Sequence, residues 1–319
     1  MSLSFDEADA LFGRMLDGEM AEEAIRETLI ELANRGETAE EVAGAATAMR
    51  ARMIRIAAPE NAIDVCGTGG DGQHSLNVST AVALVVAACD VPVAKHGNRA
   101  ASSKAGGADT LEALGLDLAR ASELAEATLG DLGIAFLFAQ KHHPALGRIA
   151  PIRKALGRRT IFNLLGPLCN PAGVTRQLVG VPSPDLVLLY AQAMALLGMD
   201  RAMIVSGDEG LDELSIAGPS RVISNCTSAA SITPEQAGLP RHALDALRGG
   251  DAAYNADALR RLLVGEQGAY RDAVLLNAAG ALIVAGEVTD WRAGVEEAAE
   301  AIDKGLAKAL LDCWIDTVK

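Results

Sequence analysis

Three short stretches of the sequence gather side chains able to do chemistry. "CGTGGDGQHSLNVST" (residues 66–80) sets Gly67, Gly69, Gly70 and Gly72 around Asp71 and follows them with hydroxyl and amide side chains. Glycine lets a backbone turn at positive φ and approach a ligand closely, so that consecutive N–H groups can cradle an anion. A strand-to-helix turn with no chemistry would use only one or two glycines, and for this stretch alone that plainer reading stays open. The spacing is neither a dinucleotide fingerprint nor a Walker loop, since no Gly-Lys-Ser/Thr closes it. "KHGNRAASSKAGGADTLEALG" (residues 95–115) adds Lys95 and Arg99 as charges and Asn98, Ser102 and Ser103 as hydrogen-bonding groups, suited to phosphate or to a solvated basic loop. "SGDEGLDELS" (residues 206–215) packs Asp208, Glu209, Asp212 and Glu213 into six residues. Such carboxylates suit Mg²⁺ beside substrate phosphates, and a solvated acidic loop would look the same.

Each stretch directly follows a candidate strand. From residue 62 onward, "IDVC", "VPVAK", "IAFLF", "RQLVGV", "AMIVSG" and "RVISN" alternate with helical segments, which predicts a mostly parallel central sheet flanked by helices. The three stretches then share the carboxyl edge, where ligands bind in such sheets, and a helix is expected to begin near Thr80. The N-terminal residues differ. Ser4-x-x-Glu7 and Thr38-x-x-Glu41 are capping boxes followed by apolar residues at helical spacing, marked by Phe12 and Met15, Leu29 and Leu32, Val42 and Met49. With no catalytic residue types gathered in it, this bundle reads as a packing or dimerisation module. The expected organisation is an α/β protein with a small all-helical domain of residues 1–62 and a large α/β domain of residues 63–319. Residues 142–173 interrupt the strand rhythm, and part of that segment is expected to return to the helical domain.

Composition narrows the function. A formal net charge of −14 opposes nucleic-acid binding, which depends on Lys and Arg neutralising phosphates. No apolar run is long enough for a membrane span, and the N-terminus lacks signal-peptide features, so a cytoplasmic location is expected. The five cysteines show no metal-ligand or disulfide spacing.

With "HHPALGRIAPIRKALGRRTIFNLLGPLCNPA" and "LLNAAGALIVAG" (residues 275–286) added, the chain resembles the anthranilate phosphoribosyltransferases of tryptophan biosynthesis, within the nucleoside phosphorylase/phosphoribosyltransferase family. The resemblance spans essentially the whole chain. It implies a site in the cleft between the two domains, a homodimer formed through the helical domain, Mg²⁺ with up to two ions per subunit, and the substrates 5-phosphoribosyl 1-diphosphate and anthranilate. It assigns Gly67, Gly70, Asp71 and Ser75 to the donor's glycine loop, and Asn77, Val78, Ser79 and Thr80 to the element after it, with Ser79 also reaching a metal ion. Lys95, His96, Gly97, Asn98, Arg99, Ala100, Ala101, Ser102, Ser103 and Gly107 fall in the loop around the donor's phosphates. Gly67, Asn98 and Arg153 become anthranilate contacts, His143 and Pro167 line the acceptor's path, and Asp212 and Glu213 form the second magnesium site. No certain general base is implied, and Lys95 stabilises charge on departing diphosphate. Three positions depart from the family pattern: Ser75 replaces threonine, Leu76 replaces phenylalanine, and Gly107 replaces a serine, removing a hydrogen bond worth about 0.5–1.5 kcal/mol.

Two other readings stand beside this one. Pyrimidine nucleoside phosphorylases share the K-H-G-x-R-x-x-S-S loop, although the Asp212–Glu213 pair and "APIRK" fit them poorly. A non-catalytic nucleic-acid-binding relative is opposed by the acidity of the chain.

Overall fold

The computed structural model describes residues 2–100 and 104–319. Ala101, Ser102 and Ser103, expected on the donor loop, lie outside the described residues. The N-terminal helices are α1 (Phe5–Asp17), α2 (Glu22–Arg35) and α3 (Ala39–Arg50), and both capping boxes form. Glu41 does more than cap. Fully buried, it accepts from Leu3 N at 2.8 Å and Arg35 Nη2 at 2.6 Å, tying α3 to the chain start and to α2.

The sheet contains β1 (Ile63–Gly67), β2 (Val93–Gly97), β3 (Ile134–Phe138), β4 (Arg176–Gly180), β5 (Arg201–Gly207), β6 (Ser220–Ser224) and β7 (Ser231–Ile232), in the order β3-β2-β1-β4-β5-β6-β7. β1 to β5 run parallel, and β6 and β7 continue antiparallel. Two-residue β7 is too short to show a period and was not among the expected strands.

Alternation along the strands divides the core into two layers. Val65, Leu178, Met203 and Val205 face α4 (Val78–Ala87) and the long helix Ala269–Ala285, both almost wholly buried. Cys66, Val179 and Ile204 face the other way, onto the N-terminal bundle and the helix Pro184–Leu196. Both faces being covered explains why these strands read as near-continuous apolar runs. α4 starts at Val78, two residues before the expected position. Residues 142–173 form short helical pieces against the bundle: Phe162 meets Phe12 edge-on at 5.8 Å, Arg159 pairs with Glu37 at 3.2 Å, and Arg50 Nε donates to Leu168 O at 2.6 Å.

Candidate active site

β1 lies between β2 and β4, so the direction in which strands are added reverses there. A crevice opens beyond the strand ends at such a switch point. Gly67 and Gly180 are paired neighbours at the ends of β1 and β4, and the backbone and carboxylate of Asp212 cross directly above them. A Cβ at either glycine would collide with Asp212. Beyond Gly67 the loop turns with positive φ at Gly69, Gly70 and Gly72, the backbone freedom that their residue type supplies. Gly69 N donates to Asp212 Oδ2 at 2.7 Å, joining the first stretch to the third.

Asp71, Asp212 and Glu213 form a crowded carboxylate group. Burial and the neighbouring charge of Asp71 push Asp212 well above the usual carboxylate range, and burial with Asp212 beside it does the same to Glu213. Asp71 Oδ2 is buried with no hydrogen-bond donor. Glu213 Oε1 accepts from Ser79 N at the start of α4, 3.2 Å away. Among the described residues no three His, Cys, Asp or Glu side chains are disposed to cage a metal by themselves. The orphaned oxygen and the mutual repulsion nevertheless fit a hard cation that takes one or two carboxylates and completes its shell with water and phosphate oxygens, as Mg²⁺ does.

Lys95 forms the floor. It is 5% exposed, and its Nζ donates to Val65 O at 2.7 Å and Ser79 Oγ at 3.1 Å. Beneath it lies fully buried Asp64, whose carboxylate accepts from His96 N at 3.1 Å and from Gln177 Nε2 at 3.1 Å. Asp64 and Gln177 escaped the sequence reading, although a charge and an amide inside otherwise apolar strands were visible signals.

Asn77 is a hydrogen-bonding hub. Its Oδ1 accepts from Thr110 Oγ1 at 2.5 Å and Asn255 Nδ2 at 2.9 Å, its Nδ2 donates to Ala105 O at 3.3 Å, and its carbonyl accepts from Tyr270 OH at 3.1 Å. Ser75 bridges to Arg248, and Gly249 N donates to His74 O at 2.8 Å, so residues 247–250 form a wall that no motif announced. Arg99, expected on phosphate, is committed to Asp109 and Glu112 of α5 (Gly107–Leu114) and lies over Phe138. Ala100 N donates to Asp109 Oδ2 at 3.0 Å, and Asn98 is exposed with its Oδ1 accepting from Arg99 N at 2.8 Å. A Cβ at Gly107 would come within 2.9 Å of Thr80 Oγ1, while Gly97 leaves room for the Phe136 ring.

On the acceptor side, His96 and His143 meet through their Nε2 atoms at 3.2 Å. His96 Nδ1 faces Gly166 O at 2.9 Å, and since a carbonyl only accepts, that nitrogen carries the proton of the neutral ring. Burial holds both rings neutral, lowering His96 to about 3 and His143 to about 4. His142 turns away, its Nδ1 at 2.8 Å from Ile54 O, so the adjacent histidines share no metal. Pro167 is buried beside the pair, its carbonyl accepting from Gln177 Nε2 at 2.7 Å. Arg153, on the helix Ile149–Leu156, lies partly buried over Phe162 at 5.4 Å. No carboxylate pairs with it among the described residues, and desolvation alone lowers its pKa.

Comparison with known proteins agrees with this geometry. Residues 1–53 match the glycosyl transferase family helical bundle domain, and residues 59–308 match the a/b domain of the same family. The anthranilate phosphoribosyltransferase of Novosphingobium aromaticivorans is 68% identical over 97% of this chain and 94% of its own length. The chain belongs to the anthranilate phosphoribosyltransferase family. The crystal structure of the Thermus thermophilus member superposes with a TM-score of 0.95 at 43% identity, covering 100% of this chain and 96% of that one. The Saccharomyces cerevisiae member, solved in complex with PRPP and Mg, gives 0.91 at 30% identity over 99% and 93%. That yeast protein has also been solved with 4-fluoroanthranilate.

Proposed function

We propose that the crevice above β1 and β4 binds 5-phosphoribosyl 1-diphosphate with Mg²⁺, and that Arg153 with the His143–Pro167 side receives anthranilate. As a member of its family the protein transfers the phosphoribosyl group to the amine of anthranilate, giving N-(5-phosphoribosyl)-anthranilate and diphosphate. One observation carries the site assignment: a glycine-loop backbone suited to an anion sits against a carboxylate group suited to a cation. A bare anion would be repelled by Asp71, Asp212 and Glu213, and a bare cation would find an incomplete cage. A magnesium-bound diphosphate satisfies both.

The chain's own residues do the rest. Glycine-loop N–H groups and the α4 N-terminus hold the leaving diphosphate, while Lys95, fixed by Val65 O and Ser79 Oγ, keeps positive charge beneath it. Arg153 and Asn98 orient the acceptor so that its amine faces C1 of the ribose. An aromatic amine is unprotonated at neutral pH, so no strong base is required, and the His96–His143 pair shapes the acceptor side as neutral rings. Asp212, Glu213 and Ser79 would hold Mg²⁺, up to two ions per subunit, which supplies charge stabilisation on the departing group.

We also infer a two-domain division near residue 62, with part of residues 142–173 joining the helical domain, and a cytoplasmic homodimer formed through that domain. Phe12 against Phe162 supports the first inference. No helix among the described residues is long and apolar enough to cross a membrane. Calorimetric titration with the donor tests the site: binding should tighten at least about ten-fold when Mg²⁺ is present, and equal affinity with and without the metal would refute it.

A further inference from the structure

Residues 132–184 contain none of the chain's 42 Asp and Glu but seven of its 28 Lys and Arg, in a protein of net charge −14. The structure shows where these positive charges fall. Arg176 Nη1 donates to Ala285 O at 2.8 Å, Arg159 is spent on Glu37, and Arg148 donates to Asp17 O at 3.3 Å. Lys141, Lys154 and Arg158 are exposed and make no ion pair among the described residues. Lys154 is the next residue after Arg153. Arg158 follows the left-handed Gly157 that ends the same helix, and Lys141 stands two residues before His143. Each unpaired cation is therefore within a few residues of a group on the acceptor side. Lys154 is one residue from Arg153 and Lys141 two from His143, and at no more than about 3.6 Å of chain per residue both separations are shorter than a Debye length of about 10 Å.

We propose that Lys141, Lys154 and Arg158 form a positively charged approach to the acceptor side, drawing an anionic aromatic acid through the repulsive field of an acidic protein and delivering it to Arg153. The inference rests on the reading of Arg153 as the acceptor's carboxylate partner. Its physical basis is field rather than contact: in water, one unit charge at about 10 Å changes the local concentration of a monovalent anion roughly two-fold, and focusing of this kind decays with added salt. Arg153 acts by direct pairing and should be far less salt-sensitive.

Steady-state kinetics at saturating donor and fixed Mg²⁺, repeated from low salt to about 0.5 M NaCl, tests it. For Lys154→Gln/Arg158→Gln the anthranilate KM should rise roughly three-fold at low salt with kcat unchanged, and the difference from wild type should close at high salt. Lys304→Gln/Lys308→Gln, which removes the same charge from the C-terminal helices, should leave KM unaltered. An unchanged KM at low salt, a difference that persists at high salt, or an equal effect in the control pair would each overturn the proposal. Absence of wild-type turnover with anthranilate would instead sink the acceptor assignment itself; normal wild-type turnover with an unaffected variant would sink the charged approach alone.

Discussion

Gly67 shows why a residue type can be legible in sequence while its reason is not. Its place at the end of "IDVC" marks it as ligand-proximal, but the structure adds that Asp212 occupies the space a Cβ would need. Gly67→Val should therefore displace the carboxylate group and reduce turnover by at least about 100-fold, roughly 2.7 kcal/mol, with the far-ultraviolet circular dichroism preserved; a folded variant of normal activity would contradict this. Arg153→Ala removes a charge-assisted bond of about 1.5–3 kcal/mol and should raise the anthranilate KM while leaving the donor KM alone. The neutral histidine pair makes a pH prediction. Folded-state values of about 3 and about 4 lie below the unfolded imidazole's ordinary 6.5, so the unfolded chain takes up protons first. The pair's stabilising contribution is complete above pH 6.5 and is lost progressively as pH falls toward 4. Denaturant titrations between pH 7.5 and 5 should show a shallower loss for His143→Asn than for wild type, and parallel slopes would remove the shift.

Among the elements, the strands were readable because burial on both faces made them apolar runs. Two-residue β7 carried no such signal, and the wall at residues 247–250 is built from backbone hydrogen bonds, to which side-chain patterns are blind. Asn77 illustrates a further limit. Its motif gives no sign that its amide joins the start of α4 to Ala105, Thr110 and Asn255. Thr110 and Asn255 are buried, so Asn77→Ala leaves two polar groups unsatisfied and should cost about 2–4 kcal/mol. Chemical denaturation showing a loss below about 0.5 kcal/mol would mean that the hub is dispensable. Arg99 is the converse case: a cation suited by type to phosphate is held by Asp109 and Glu112, acids whose reach around the turn into α5 no linear spacing displayed.

At the scale of the whole molecule, the sheet gathers at one edge groups that lie far apart in the chain, from Gly67 through Lys95 to Asp212. The sequence left the acidic stretch evenly divided between metal ligand and solvated loop. The structure sets it over β1 and β4, hydrogen-bonded to Gly69 and Ser79. The most direct measurement is the Mg²⁺ dependence of phosphoribosyl transfer to anthranilate, followed by the change in anthranilate fluorescence, in wild type and in Asp212→Asn/Glu213→Gln. Turnover should require both substrates and Mg²⁺, and the double variant should need at least about ten-fold more Mg²⁺ for half-maximal rate, with a higher donor KM. If the variant kept the wild-type Mg²⁺ dependence and bound the anionic donor more tightly, the carboxylates would be ordinary surface charge and the account of the site would be wrong.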